Sequence, residues 1–205
     1  MSTPPLERSF EQRLGLRERK KLKTRRSIQE HALRLFQEQG YDATTVEQIA
    51  EAAEVSPSTF FRYFPTKEDT VLTDEYDPWI LEAIRAQPPE LSPIDVLRKV
   101  LHDIVGAMLA ADRQRILDRG RLMLSVPALR SRQWEQTRAT QQRMVEALAG
   151  RLGRPADDFE LQAFGSAIIA VWETAIMAWV ESDGEGDIME LLDRAIDFLS
   201  AGCPL

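Results

Sequence analysis

The chain has little of what catalytic and secreted proteins are usually built from. It holds one cysteine, Cys203, and two histidines in 205 residues. A lone cysteine makes neither an internal disulfide nor a Cys-rich zinc site, so a reducing compartment, the cytoplasm, is expected. His31 and His102 stand far apart. No Gly-rich phosphate loop, His-Glu-x-x-His or paired-cysteine motif occurs, and Gly184-Glu185-Gly186 reads as an interhelical turn. No catalytic residue, metal or cofactor is therefore expected. Met1 to Phe10 lack the apolar stretch of a secretory signal. No apolar run approaches the roughly 20 residues of a membrane span, so no membrane partner is expected. Alternating strand patterns are absent too, which leaves an all-α protein.

Charge is what the chain has in excess, and it is unevenly placed. The net charge is −7. Residues 1–67 carry 12 Lys and Arg against 9 Asp and Glu, whereas the remainder carries 14 against 24. Within ten residues lie Arg17, Arg19, Lys20, Lys21, Lys23, Arg25 and Arg26, opposed only by Glu18. Such a run is either a solvated helix face or a phosphate-binding one.

Apolar residues with the helical period predict about nine helices. The first starts between Leu16 and Thr24 and ends at Gln39, with Ile28, Ala32, Leu35 and Phe36 inward and Gly40 as C-cap. Thr44 and Glu47 form a capping-box pattern for the second. The third begins at Ser56-Pro57 and stops before Pro65. A fourth runs from Thr66 to about Arg85. Five more are expected at about 93–111, 113–124, 127–152, 157–181 and 188–200. The whole reads as a three-helix head followed by a larger helical body.

Two short helices meet at Ala53-Glu54-Val55, with small Ala50 at their crossing. This is helix-turn-helix spacing, in which the second helix enters the major groove. In that helix Phe60, Tyr63 and Phe64 face inward; Pro57, Ser58, Phe61 and Arg62 face outward. Its first turn suits phosphate. Arg62 suits guanine or phosphate, and Ser58 and Thr59 suit phosphate or base edges. Phe61 either packs on the first helix or touches a thymine methyl.

Residues 23–83 resemble the TetR-type DNA-binding domain. The pattern stands here as Thr24-Arg25-x-x-Ile28, Ala32-Leu33-x-Leu35-Phe36, Gly40-Tyr41, Thr44-Thr45-Val46-x-x-Ile49-Ala50, Val55-Ser56, Thr59-Phe60-Phe61-x-Tyr63-Phe64 and Lys67-Glu68. The resemblance implies DNA contacts from Thr45, Ser56, Pro57, Ser58, Phe61, Arg62, Tyr63 and Lys67; Arg25 and Thr59 are further candidate contacts. It divides the chain into a basic arm (1–22), a DNA-binding domain (23–83, helix-turn-helix about 46–65) and a ligand-binding and dimerisation domain (84–205). Two residues depart from the pattern. Glu54 replaces the usual turn glycine, at an expected cost of about 1 kcal/mol. Phe61 replaces a frequent tyrosine and lacks its phosphate-reaching hydroxyl.

In the body, Phe164, Ile168, Val171, Trp172, Ala175, Ile176 and Trp179 cover more than one face of one helix. Gly165, Ala167, Ala170 and Ala178 permit close approach. The resemblance implies a homodimer through 157–181 and 188–200, burying Trp172 and Trp179, and it implies operator DNA and a small effector as the other partners. Arg113, Arg115, Arg119, Arg121, Arg130 and Arg132 are opposed only by Asp112 and Asp118. They read either as a salt-bridged surface or as an anionic head-group site. The Phe-Phe-Arg-Tyr-Phe run and the stretch Arg119-x-Arg121-Leu122-x-Leu124-x-x-Pro127-x-Leu129 resemble mycofactocin-type regulators that sense acyl-CoA-like molecules. On that reading Met108, Arg119, Arg121, Met123, Met144, Trp172, Ile176 and Met177 line the effector site. The competing reading is a helical small-molecule carrier with no DNA role.

Overall fold

The computed structural model describes residues 15–73 and 77–204. These hold nine helices and no strand: α1 (Leu16–Gln39), α2 (Val46–Ala52), α3 (Pro57–Tyr63), α4 (Asp69–Leu72), α5 (Asp77–Ala86), α6 (Pro93–Ser125), α7 (Pro127–Leu152), α8 (Phe159–Glu181) and α9 (Ile188–Ser200). Residues 1–14 of the expected basic arm lie outside the described residues, and its remainder opens α1.

The chain forms two compact units. The first combines Met1–Glu75 with Gln114–Gln133; the second combines Tyr76–Arg113 with Trp134–Leu205. These units do not follow a single cut near residue 83, because the end of α6 and the start of α7 complete the core of the first unit. Leu129 is fully buried there with Ile28, Phe36, Ile49, Phe60 and Phe64, and Leu122, Met123 and Val126 pack against them.

Two local expectations are corrected. The α2 cap is Thr45, not Thr44: Thr45 Oγ1 accepts the Gln48 N–H, and Gln48 Oε1 accepts the Thr45 N–H at 2.9 Å. Thr44 is buried instead, donating its hydroxyl to the Gly40 carbonyl at 2.7 Å. The helix expected over 66–85 is two helices, since Thr73 turns to extended backbone after α4. The carbonyls freed at that end find donors from afar. Gln29 Nε2 donates to Thr70 O at 3.1 Å and Thr73 O at 2.9 Å. The break expected between helices at 93–111 and 113–124 is present, since Asp112 has non-helical backbone (φ −160°, ψ 80°) within α6.

Glu54 adopts the left-handed conformation, φ 54°. The Val55 N–H bonds Ala50 O at 2.9 Å and the Glu54 N–H bonds Glu51 O at 3.0 Å. This is a Schellman end with glutamate where glycine is strain-free, and it sets the angle at which α3 leaves α2.

In the second unit, α8 buries Leu161, Ile168, Ala175, Trp179 and Val180, and α9 buries Ile188, Leu192 and Ile196. The two pack as a hairpin. By length and composition alone α8 is long and apolar enough to cross a membrane, which corrects the expectation that no segment approaches a span. Part of its apolar surface is core; its outer stripe (Phe159, Ala163, Ala170, Met177) is exposed. Trp179 is fully buried within its own chain, whereas Trp172 is half-buried.

Ion pairs tie the ends of this unit. Arg98 on α6 bonds Asp193 at 2.8 Å and Asp197 at 2.5 Å, and His102 lies 2.9 Å from Asp193. Partial burial works to raise the Asp193 carboxyl. The hydrogen bonds and charges of His102 and Arg98 outweigh it and hold that group below the usual aspartate value.

Gly165, one of the small residues that the sequence placed at the dimer contact, faces α7 of its own chain. A Cβ built there would lie 2.5 Å from Val145 Cγ2. Val145 is fully buried and β-branched, so it yields little. Gly165→Ala gains about 1 kcal/mol of helix propensity and costs about 1–3 kcal/mol of overpacking. The expected result is a net loss, read as a lower thermal unfolding midpoint with the helical content unchanged.

Candidate nucleic-acid interface

The interface is built on α3, whose residues divide into two arcs. Phe60 and Phe64 are fully buried and Tyr63 and Thr59 half-buried; Pro57, Ser58, Phe61 and Arg62 are exposed. Ser56 caps the helix, its Oγ accepting the Thr59 N–H at 3.1 Å. It also donates to Thr59 Oγ1 at 3.0 Å and lies 2.9 Å from Ser58 Oγ. Three hydroxyls are thus gathered at one corner. Arg62 stands over the Tyr63 ring at 5.5 Å. Phe61 meets Phe60 edge to face at 5.6 Å between centroids. It packs there on its own helix while half its surface stays exposed.

The remaining expected contacts surround this arc. Thr45, exposed, caps α2. Arg25 holds its guanidinium 4.7 Å over the Phe64 ring. Lys67 is more committed than the sequence suggested. Its Nζ donates to Tyr41 O at 2.8 Å and Thr44 O at 3.1 Å, and sits 4.3 Å over the Tyr41 ring. Two of its three N–H donors therefore fix the segment leading into α2.

Sequence reasoning missed the network behind Lys67. The Tyr41 hydroxyl donates to Glu68 Oε1 at 2.7 Å. Burial, then that hydrogen bond, pushes the Tyr41 phenol far above its ordinary value. Burial works to raise the Glu68 carboxyl. Hydrogen bonds from Tyr41, the backbone and Thr66, with the charge of Arg132, outweigh it and hold Glu68 below the usual glutamate value. Arg132, from the start of α7, donates to Thr66 Oγ1 at 2.5 Å and pairs with Asp69 at 3.5 Å and Glu68 at 3.7 Å. Gln39 adds a bridge from α1, donating to Gln48 Oε1 at 2.9 Å and Thr44 Oγ1 at 3.1 Å. The Gly40-Tyr41 and Lys67-Glu68 pairs were visible in the sequence, but nothing there linked them to residue 132.

The arginine run is a set of clips. Arg119 donates to Val71 O at 2.5 Å and to Leu72 O at 3.3 Å, closing the carbonyl end of α4. Arg121 pairs with Asp118 at 3.1 Å, and Arg115 reaches Glu30 at 3.9 Å. In the second unit Arg113 bonds Gly186 O at 3.1 Å and also Gly184 O, lying 5.1 Å over the Trp179 ring. The eight residues expected to line an effector site are not gathered in one unit. Arg119, Arg121 and Met123 belong to the first. Met108, Met144, Trp172, Ile176 and Met177 belong to the second, with Met144 buried and Met177 exposed.

Residues 28–72 match the model for bacterial regulatory proteins of the tetR family, and residues 91–204 match the MftR C-terminal domain. The chain belongs to the TetR family. This TetR-family chain is thus a transcriptional regulator with a DNA-binding helix-turn-helix, and its C-terminal match agrees with the mycofactocin-type resemblance. It is 34% identical over 161 residues to the transcriptional regulator TcmR of Streptomyces glaucescens, covering 75% of this chain and 71% of TcmR. It is similar in structure to Thermus thermophilus FadR, a TetR-family repressor solved with lauroyl-CoA. The TM-score is 0.56 at 25% identity, over 88% of this chain and 95% of that one. Bacillus halodurans FadR shares the fold, with a TM-score of 0.58 at 24% identity over 87% and 95%.

Two outcomes are expected in the DNA-binding head. Arg132→Ala leaves Glu68 and Asp69 without their arginine and lowers stability by about 1–3 kcal/mol, measured by denaturant unfolding. Glu54→Gly removes left-handed strain and raises it by about 0.5–1 kcal/mol, with an unchanged circular-dichroism spectrum.

Proposed function

We propose that this regulator is a repressor: a homodimer that holds a palindromic operator with two copies of α3 and releases it when an apolar or amphipathic effector, acyl-CoA-like in chemistry, occupies the helical second unit. The observation that carries the operator half is the exposed arc Pro57, Ser58, Phe61 and Arg62 on a seven-residue helix sealed on its other side by Phe60 and Phe64. A helix this short is not stable alone. The surrounding head holds it in one orientation, as reading a groove requires. Arg62 takes a guanine edge or a phosphate, and Ser56, Ser58, Thr59 and Thr45 supply hydroxyls to the backbone. Residues 23–83 serve as the DNA-binding domain and 84–205 as the ligand-binding and dimerisation domain.

Dimerisation is assigned to α8 and α9. The exposed stripe Phe159, Ala163, Ser166, Ala170, Thr174 and Met177 recurs every three or four residues and is small in its middle, which suits close two-fold packing. An interface above about 1,000 Å² is expected. It holds two heads at the spacing of one helical turn of DNA, about 34–36 Å.

The effector class rests on the likeness to the lauroyl-CoA-bound regulator and on the apolar residues Met108, Met144, Trp172 and Ile176 of the second unit. Arg119 and Arg121, expected beside them, hold Val71, Leu72 and Asp118 in the first unit; the reading does not depend on them. The effector binds the DNA-free state better than the DNA-bound one, and DNA weakens effector binding by the same factor.

Two measurements test this reading. Operator affinity falls steeply with salt, and Arg62→Ala lowers it without unfolding the protein; an Arg62→Ala variant that binds like wild type removes α3 from the interface. Long-chain acyl-CoA at micromolar concentration releases the labelled operator. Retention of the complex with every acyl chain length leaves the effector class wrong.

A further inference from the structure

We propose that Phe61 is a specificity-determining residue that reads the C5 methyl of a thymine in the major groove. The proposal rests on α3 being the DNA-reading helix, and it adds what that helix recognises. On a 3.6-residue wheel the exposed residues of α3 fall in the order Pro57, Phe61, Ser58, Arg62, followed by half-buried Thr59 and Tyr63 and by buried Phe60 and the C-cap Phe64. Phe61 and Ser58 hold the middle of the exposed arc; Pro57 and Arg62 hold its edges. A helix lying in the major groove turns the middle of its exposed arc to the base edges and its flanks to the two strands. Phe61 therefore faces bases.

Its chemistry narrows the choice further. A phenyl ring neither donates nor accepts a conventional hydrogen bond, so it gains nothing from a phosphate or from the donor and acceptor edges of guanine, cytosine and adenine. The major groove offers one apolar feature, the thymine methyl. Phe61 is 50% exposed, so about half of its surface remains to be covered. Its ring is held at 87° to that of Phe60, which is fully buried. That contact favours one position of the reader before DNA arrives, which lessens the ordering left to be done on binding. Arg62, at the arc edge, carries the charge for a phosphate or a guanine, and Phe61 takes no share in counterion release.

The test uses duplexes enriched from a random-sequence pool by the wild-type protein, with each thymine replaced in turn by deoxyuridine, which lacks only the methyl. One position per half-site is expected to weaken wild-type binding by about three- to fivefold, as burial of one methyl group implies. Phe61→Ala binds the thymine and deoxyuridine duplexes equally at that position and keeps the wild-type salt slope. Phe61→Leu, which keeps an apolar tip, retains part of the thymine preference and guards against a folding defect in the alanine variant. The proposal is overturned if no deoxyuridine position matters, or if Phe61→Ala weakens all duplexes while keeping the full thymine preference. Failure of the wild type to enrich any duplex is a different result, and it removes the operator reading together with this one.

Discussion

The DNA-binding head depends on a piece of chain that lies forty residues beyond it. Leu129 sits fully buried among Ile28, Phe36, Ile49, Phe60 and Phe64, with Leu122, Met123 and Val126 packed alongside. α2, α3 and α4 are of seven, seven and four residues, too short to hold their shape without tertiary contacts. Residues 114–133 supply part of those contacts and also satisfy the head's polar ends. Arg119 takes the last carbonyls of α4, and Arg132 takes Thr66, Glu68 and Asp69. Residues 114–133 therefore supply the head with apolar packing and charged hydrogen bonds together.

Cations in this protein do two kinds of work. Lys67, Arg113, Arg119, Arg132 and Arg151 donate to backbone carbonyls or to carboxylates of their own chain. Arg151, for example, holds the carbonyls of Gln87, Pro88 and Leu91 between α5 and α6. Arg17, Arg19, Lys20, Lys21 and Lys23 at the start of α1, with Arg62 on α3, are exposed. Net charge does not separate these groups. A net charge of −7 therefore does not tell where the chain exposes its cations.

α8 has to serve two faces. One packs on α7, so closely at Gly165 that a side chain there would strike Val145, and buries Ile168, Ala175 and Trp179; the helix also packs on α9. The other is exposed along a stripe of small and apolar residues. In the proposed homodimer that stripe is the surface offered to a second copy. The helix that looks long and apolar enough for a membrane is thus divided between core and outer face.

Much of this was legible in the residue order. Caps and breakers fixed α3 at Ser56-Pro57, α7 at Pro127 and α9 at Ile188–Ser200, because these signals act within one turn of backbone. The same locality exposed the helix-turn-helix, the left-handed Glu54 and the outward arc of α3, and the motif matches carried the family. Contacts between residues far apart in sequence were not legible. Nothing local distinguishes an arginine that will bind an effector from one that will close α4, so Arg119 and Arg132 read as a charge run. Gly165 read as a dimer contact because periodicity shows that a helix has two apolar faces but not which neighbour each one meets. The sequence by itself determined most of the helices, the caps of α3 and α9 and the exposed arc of α3, since these follow from interactions three to five residues apart. Only the tertiary structure decided which donors the α4 carbonyls receive, which segment completes the head and which side of α8 is core, since those depend on packing between segments that the order of residues does not place side by side.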